Sequence, residues 1–143
     1  MRDRHPLQLG ALASGALFLV VGILGFVPGV TTNYSELRFA GHESEAQLLG
    51  IFKVSVLHNI VHLLFGVLGI LASRTVRDSR YFLIGGGIVY LLLTVYGVAI
   101  DHGSDANFVP INTADNWLHL VLAIGMIGAG VVLGRTRAPA TSR

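Results

Sequence analysis

The sequence predicts an all-α fold, a membrane-embedded antiparallel four-helix bundle, and three observations carry that expectation. Four uncharged, mostly apolar stretches occupy residues 7–27, 54–73, 81–100 and 116–134. A helix rises about 1.5 Å per residue, so ~20 residues cross the ~30 Å hydrocarbon core of a bilayer. The 143 residues are 52% hydrophobic and only 13% charged, whereas soluble domains carry about a quarter charged residues. Finally, eight of the ten basic residues fall on one side of the expected spans: Arg2, Arg4, Arg74, Arg77, Arg80, Arg135, Arg137 and Arg143. The positive-inside rule then places both termini and the 74–80 turn in the cytoplasm of a plasma-membrane protein, with loops 28–53 and 101–115 outside. Four spans use most of the length, so residues 1–143 read as a single transmembrane domain.

Composition also excludes chemistry. There are no cysteines, which removes disulfides, thiolate metal sites, iron–sulfur clusters and cysteine nucleophiles. The basic residues are scattered at helix ends without a basic cluster interleaved with aromatics, so nucleic acid is not an expected partner. The expected partners are the lipid bilayer and another membrane protein or a second copy of the chain.

The first stretch is longer than the 7–15 residues of a signal-peptide core and lacks an A-x-A-like cleavage site, so it reads as a span. Pro28 and Gly29 end it, because proline has no amide donor and glycine tolerates the turn. Ser44 reads as an N-cap for a helix over about 44–53, with Leu48, Leu49, Ile51 and Phe52 on one face, lying at the interface or extending the second span. Lys53 is expected to snorkel to the headgroups. Arg74–Arg80 reads as a tight turn that makes the second and third spans antiparallel neighbours. Asn112 or Thr113 caps the fourth span, with Asp115 and Asn116 in its first turn, and Trp117 sits at interfacial depth. Residues 136–143 read as a disordered tail. Small residues let helices approach closely in lipid, which is the role expected for Gly66, Gly69, Gly85–Gly87, Gly125, Gly128, Gly130 and Gly134.

One polar cluster interrupts this apolar pattern. His58 and His62 are four apart and share a helical face, as do Asp115 and His119. The second and fourth spans run in the same direction, so His58 and His119 lie at similar depth, one turn below the outer boundary. Tyr90, Thr94, Gly97 and Asp101 form a stripe on the third span. Together His58, Asn59, His62, Asp101, His102, Asp115, Asn116 and His119 gather toward the outer face. Three readings fit. Imidazoles and amides can bond across helices and fix the packing. His58, His62 and His119 can hold a metal ion, or a haem between two helices. A histidine beside an acid can also handle protons. The H-x-x-x-H spacing lacks the metalloprotease glutamate, and Gly85–Gly87 lies inside an apolar helix, which reads as packing and not as a phosphate loop.

Three stretches resemble a known family: Gly22–Gly29, then Leu48–Phe52 continuing through His58–Gly66, then Asn112–His119. They are similar to the four-helix integral membrane family of bacteria and archaea catalogued as domain of unknown function 4383. The resemblance implies a four-helix membrane protein with no established activity and no catalytic residues to carry over. The leading expectation is therefore a non-enzymatic accessory or structural membrane protein with a histidine–aspartate–asparagine cluster near its outer face. The alternative is a metal- or haem-binding membrane protein, redox-linked, that uses His58, His62 and His119.

Overall fold

The computed structural model describes residues 4–135. The tail expected at 136–143, with Arg137 and Arg143 in it, lies outside the described residues, as does Arg2. Four helices form the bundle: α1 (Pro6–Leu24), α2 (Val56–Ala72), α3 (Val76–Ala99) and α4 (Thr113–Val132). α1, α3 and α4 are long and apolar enough to cross a membrane. α2 has 17 residues, which is about 25 Å of helix.

Helix starts follow side chains that accept from orphan amides. Ser55 Oγ accepts from the His58 N–H at 3.1 Å, so Val54 and Ser55 are outside α2, contrary to the expected 54–73. Thr75 accepts from the Asp78 N–H at 3.0 Å, which starts α3 at Val76 and puts Arg77 and Arg80 on its first turns. The expected 74–80 turn is thus only Ser73–Thr75. Asn112 caps α4 in a reciprocal box with Asp115, as the sequence suggested. At the start of α1, Gln8 donates to the Ser73 and Arg74 carbonyls, each at 3.0 Å, and ties that helix to the end of α2.

Packing divides the bundle into two antiparallel hairpins, α1 on α2 and α3 on α4. In each, glycine permits close contact. A Cβ on Gly15 would stand 2.8 Å from Ile70 N and 2.9 Å from Gly66 O. In the other hairpin, a Cβ on Gly87 or Gly130 would stand 2.6 Å from Ile127 or Ile84. Gly85, Gly125 and Gly128 meet nothing within 4 Å, so they make no close contact with another helix of this chain. α2 and α3 are adjacent in sequence yet touch sparsely, mainly through Phe65, Phe82 and Tyr90. The core between hairpins contains Leu7, Phe18, Leu83, Tyr90, Ala123 and Met126. Large apolar residues such as Leu17, Leu64, Leu92 and Val121 are exposed around the outside, the arrangement of a protein whose solvent is lipid.

The chain between α1 and α2 corrects the expected 44–53 helix. It folds as a three-stranded antiparallel sheet of β1 (Thr31–Thr32), β2 (Gln47–Leu48) and β3 (Phe52–Lys53) in that order. Leu48 pairs with both Thr31 and Phe52. The β2–β3 turn holds Leu49 at φ 56° and Gly50 at φ 69°, a left-handed backbone that a helix cannot contain. Ser44 is buried and caps nothing helical. It donates to the Val54 carbonyl at 2.6 Å and accepts from the Arg38 N–H at 3.1 Å. Lys53 reaches the His42 carbonyl at 2.8 Å and Glu45 at 2.9 Å, so it does not snorkel. The sheet packs Leu48 and Val54 against Val21 and Leu24 of α1 and covers the end of the bundle opposite the Ser73–Thr75 turn.

Gly15→Val should cost about 3 kcal/mol by overpacking against α2 backbone, whereas Gly85→Ala should stay within about 0.5 kcal/mol. Thermal unfolding in mild detergent tests the pair; equal losses would contradict the hairpin packing.

Candidate functional site

The polar residues of the buried half lie where the two hairpins meet. His62, one turn below His58 on α2, is buried, and its Nδ1 stands 2.9 Å from the His58 carbonyl. A carbonyl only accepts, so Nδ1 carries the proton and Nε2 is left as an acceptor. Tyr90 of α3 meets that Nε2 with its hydroxyl at 3.4 Å. Phe18 of α1 stacks on the Tyr90 ring at 5.5 Å between centroids and 9° between planes, and meets His62 edge-on at 5.8 Å. His119 of α4 lies 5.3 Å from the Tyr90 ring, and the His58 ring 4.1 Å from that of His62. The other three helices thus each place a ring against Tyr90 of α3. His58 Nδ1 and His119 Nδ1 are buried without a hydrogen-bond partner.

The other expected members do different work. Asp115 is 2% exposed. Its Oδ2 accepts from the Asn112 N–H at 3.0 Å and from the Lys53 N–H of β3 at 3.1 Å. Asn112 in turn donates to the Ile51 carbonyl at 2.8 Å. The first turn of α4 therefore clamps the β2–β3 turn onto the bundle. Asn59 is buried on the side of α2 that packs on α1, against Gly22 and Gly25, with its amide unpartnered. Asn116 packs on Gly97 of α3. Asp101 and His102 do not join the histidines; they build the loop between α3 and α4. Asp101 Oδ1 accepts from the Gly103 N–H at 2.9 Å, and His102 Nε2 donates to the Gly97 carbonyl at 2.6 Å.

Two cavities flank the rings, one at each seam between hairpins. The first, about 200 Å³, lies between α2, α3 and α4, with Phe65, Val89, Leu93 and Val109 in its wall. The second, about 170 Å³, lies between α1, α4 and the sheet, with Leu17, Phe18, Phe52 and Asp115 in its wall. His58, His62 and His119 line both. A wider, open groove of about 760 Å³ lies at the other end of the bundle beside His5, Arg77, Arg80 and Tyr81, far from the histidines. Among the described residues, no three His, Asp or Glu side chains are arranged to hold a metal ion. Tyr90, hydrogen-bonded to His62 and packed on His119, occupies the space that a haem between those histidines would need.

Two contributors escaped the sequence reading. Phe18 sits in a helix that is apolar all round, where no face stands out. Asn107, fully buried, donates to the His102 and Ile111 carbonyls, each at 3.0 Å, and accepts from the Ile111 N–H at 2.9 Å; its place beside Pro110 was the available signal for an ordered loop.

Asp115→Ala leaves two amides without their acceptor and should cost about 2 kcal/mol. Amide exchange over residues 47–53 should accelerate in that variant and stay unchanged in Asp105→Ala, whose side chain is exposed; unchanged exchange in both would contradict the clamp. Compared with known proteins, the chain matches no curated protein and no solved structure. The family described as Domain of unknown function (DUF4383) matches residues 8–132, and on that match over most of its length the chain belongs to this family.

Proposed function

We propose that this is a non-enzymatic accessory or structural protein of the plasma membrane, with both termini in the cytoplasm, that works by partnering another membrane protein or a second copy of itself. The observation that carries this reading is the Phe18–His62–Tyr90–His119 contact, which joins two hairpins that otherwise meet thinly. Interhelical polar contacts of this kind contribute about 0.6–2 kcal/mol in lipid, enough to set how the hairpins dock. The arginine asymmetry supports the orientation: among the described residues Arg4, Arg74, Arg77, Arg80 and Arg135 lie at the end opposite the sheet.

A cysteine-free chain allows a direct test of orientation. In intact cells, a membrane-impermeant maleimide should label Ser104→Cys and leave Arg74→Cys untouched; the reverse pattern would invert the topology. Purified without a polyhistidine tag, the protein should be colourless and metal-free, and Tyr90→Phe should lower its stability by about 1 kcal/mol. A Soret band, or one metal per chain lost in His58→Ala and His119→Ala, would replace the structural role with a cofactor role.

A further inference from the structure

The open groove at the arginine-bearing end of the bundle takes its walls from three helices and joins two kinds of surface. Arg77 and Arg80 come from the first turns of α3, His5 caps α1, and Gly134 follows α4. Leu7, Val76 and Ile84 supply the apolar wall. At about 760 Å³ the groove falls in the size range of small-molecule sites.

Its depth follows from α3. Residues 81–100 carry no charged side chain, so the apolar length of that helix begins at Tyr81. Tyr81 is 69% exposed, at the level where rings with a polar tip meet lipid head groups. Arg77, Tyr81 and Ile84 fall at i, i+4 and i+7, one face of the helix. Along that face the groove runs from cation through interfacial ring to apolar wall, the order in which a phospholipid runs from phosphate to chain.

The cations lack a counter-charge. Among the described residues Arg80 pairs with no carboxylate, and the one beside Arg77 is its neighbour Asp78, at 3.6 Å between Nε and Oδ1. Asp78 already accepts from the Thr75 hydroxyl at 2.7 Å. No Asp or Glu among the described residues lines the groove. The Arg80 guanidinium has a built seat. A Cβ on Gly134 would stand 3.0 Å from its Nε and 3.3 Å from its Cζ, so the flat group lies on bare backbone that a side chain would crowd. His5 adds a neutral donor: its Nδ1 accepts from the Leu7 N–H at 3.2 Å, which leaves the proton on Nε2.

We propose that this groove binds an anionic phospholipid of the leaflet at the arginine end, with its phosphate at Arg77 and Arg80 and its chains along Tyr81 and Ile84. The planar fork of arginine matches phosphate oxygens, and basic pockets between membrane helices take acidic head groups. A free phosphate or an acidic peptide would use the arginines and leave the apolar wall unmatched. The proposal rests on the membrane setting proposed above and not on an accessory role. Maleimide labelling tests that setting without added lipid, so its failure is distinguishable from failure of the site.

The full chain, purified in mild detergent, is titrated with dioleoyl phosphatidylglycerol, with dioleoyl phosphatidylcholine and with inorganic phosphate. Melting temperature and lipid retention in native mass spectrometry are read. Phosphatidylglycerol should bind saturably and raise the melting temperature. Phosphatidylcholine, with the same chains and no net charge, should need about tenfold more. Inorganic phosphate should shift nothing. Arg77→Gln and Arg80→Gln should each weaken phosphatidylglycerol binding about fivefold, whereas Arg74→Gln, at the same end but outside the groove, should bind as wild type. Val76→Trp fills the groove without changing a charge and should weaken binding similarly, so the test survives an arginine variant that does not fold. Equal weakening by Arg74→Gln and Arg80→Gln is attraction to net charge alone and would overturn the proposal. Equal binding of the two lipids would also overturn it, as would inorganic phosphate binding as tightly as lipid, or displacement of the lipid by an equal concentration of a polyglutamate peptide.

Discussion

A buried polar atom finds no water to bond, and most of what is specific in this bundle answers that constraint. His62 spends one ring nitrogen on a carbonyl of its own helix and turns the other toward Tyr90. Asp115 finds two backbone amides, one at its own helix start and one in β3. Ser44 and Asn107, both fully buried, thread through loops whose backbone would otherwise go unpaired. Each polar side chain thereby fixes a piece of chain that apolar packing alone would leave free, since helix association in lipid has little hydrophobic drive of its own. The tight glycine contacts hold helices together within a hairpin; the polar contacts decide how hairpins and sheet are placed.

That division explains which features were legible beforehand. Four helices followed from four uncharged stretches, because length and apolarity suffice for a span. The H-N-x-x-H and D-N-x-L-H segments announced a cluster, since histidines four apart on one span and another at equal depth on a parallel span must lie close. Asp115 belonged to the same turn as His119, yet its carboxylate faces the sheet and not the rings. No spacing rule distinguishes those outcomes, because the deciding partner is the Lys53 amide, more than sixty residues away in the chain.

The misreading at 44–53 has a different cause. Leu48, Leu49, Ile51 and Phe52 satisfy a helical face and equally satisfy a hairpin that buries Leu48 and exposes Leu49 and Ile51. Gly50 was the contrary signal, and its left-handed backbone decides for the turn. Phe18 was unreadable for the opposite reason: α1 offers no polar face from which to infer an inner one. The α1–α2 and α3–α4 pairing depended on which glycines meet backbone, and Gly85 looks no different in sequence from Gly86, which abuts Met126.

The apolar lengths of the helices bear on the surrounding membrane. The 17 residues of α2 rise about 25 Å, and α3, whose first turns carry Arg77, Asp78 and Arg80, keeps an apolar length of about 28 Å over 81–99. Both fall a little short of a ~30 Å hydrocarbon core, so lipids thin slightly around the bundle. The protein therefore carries a lipid collar a few ångström thinner than the average bilayer. Such a collar is relieved when a neighbour with an equally short flank sits against it, and it favours thinner patches of membrane over thicker ones.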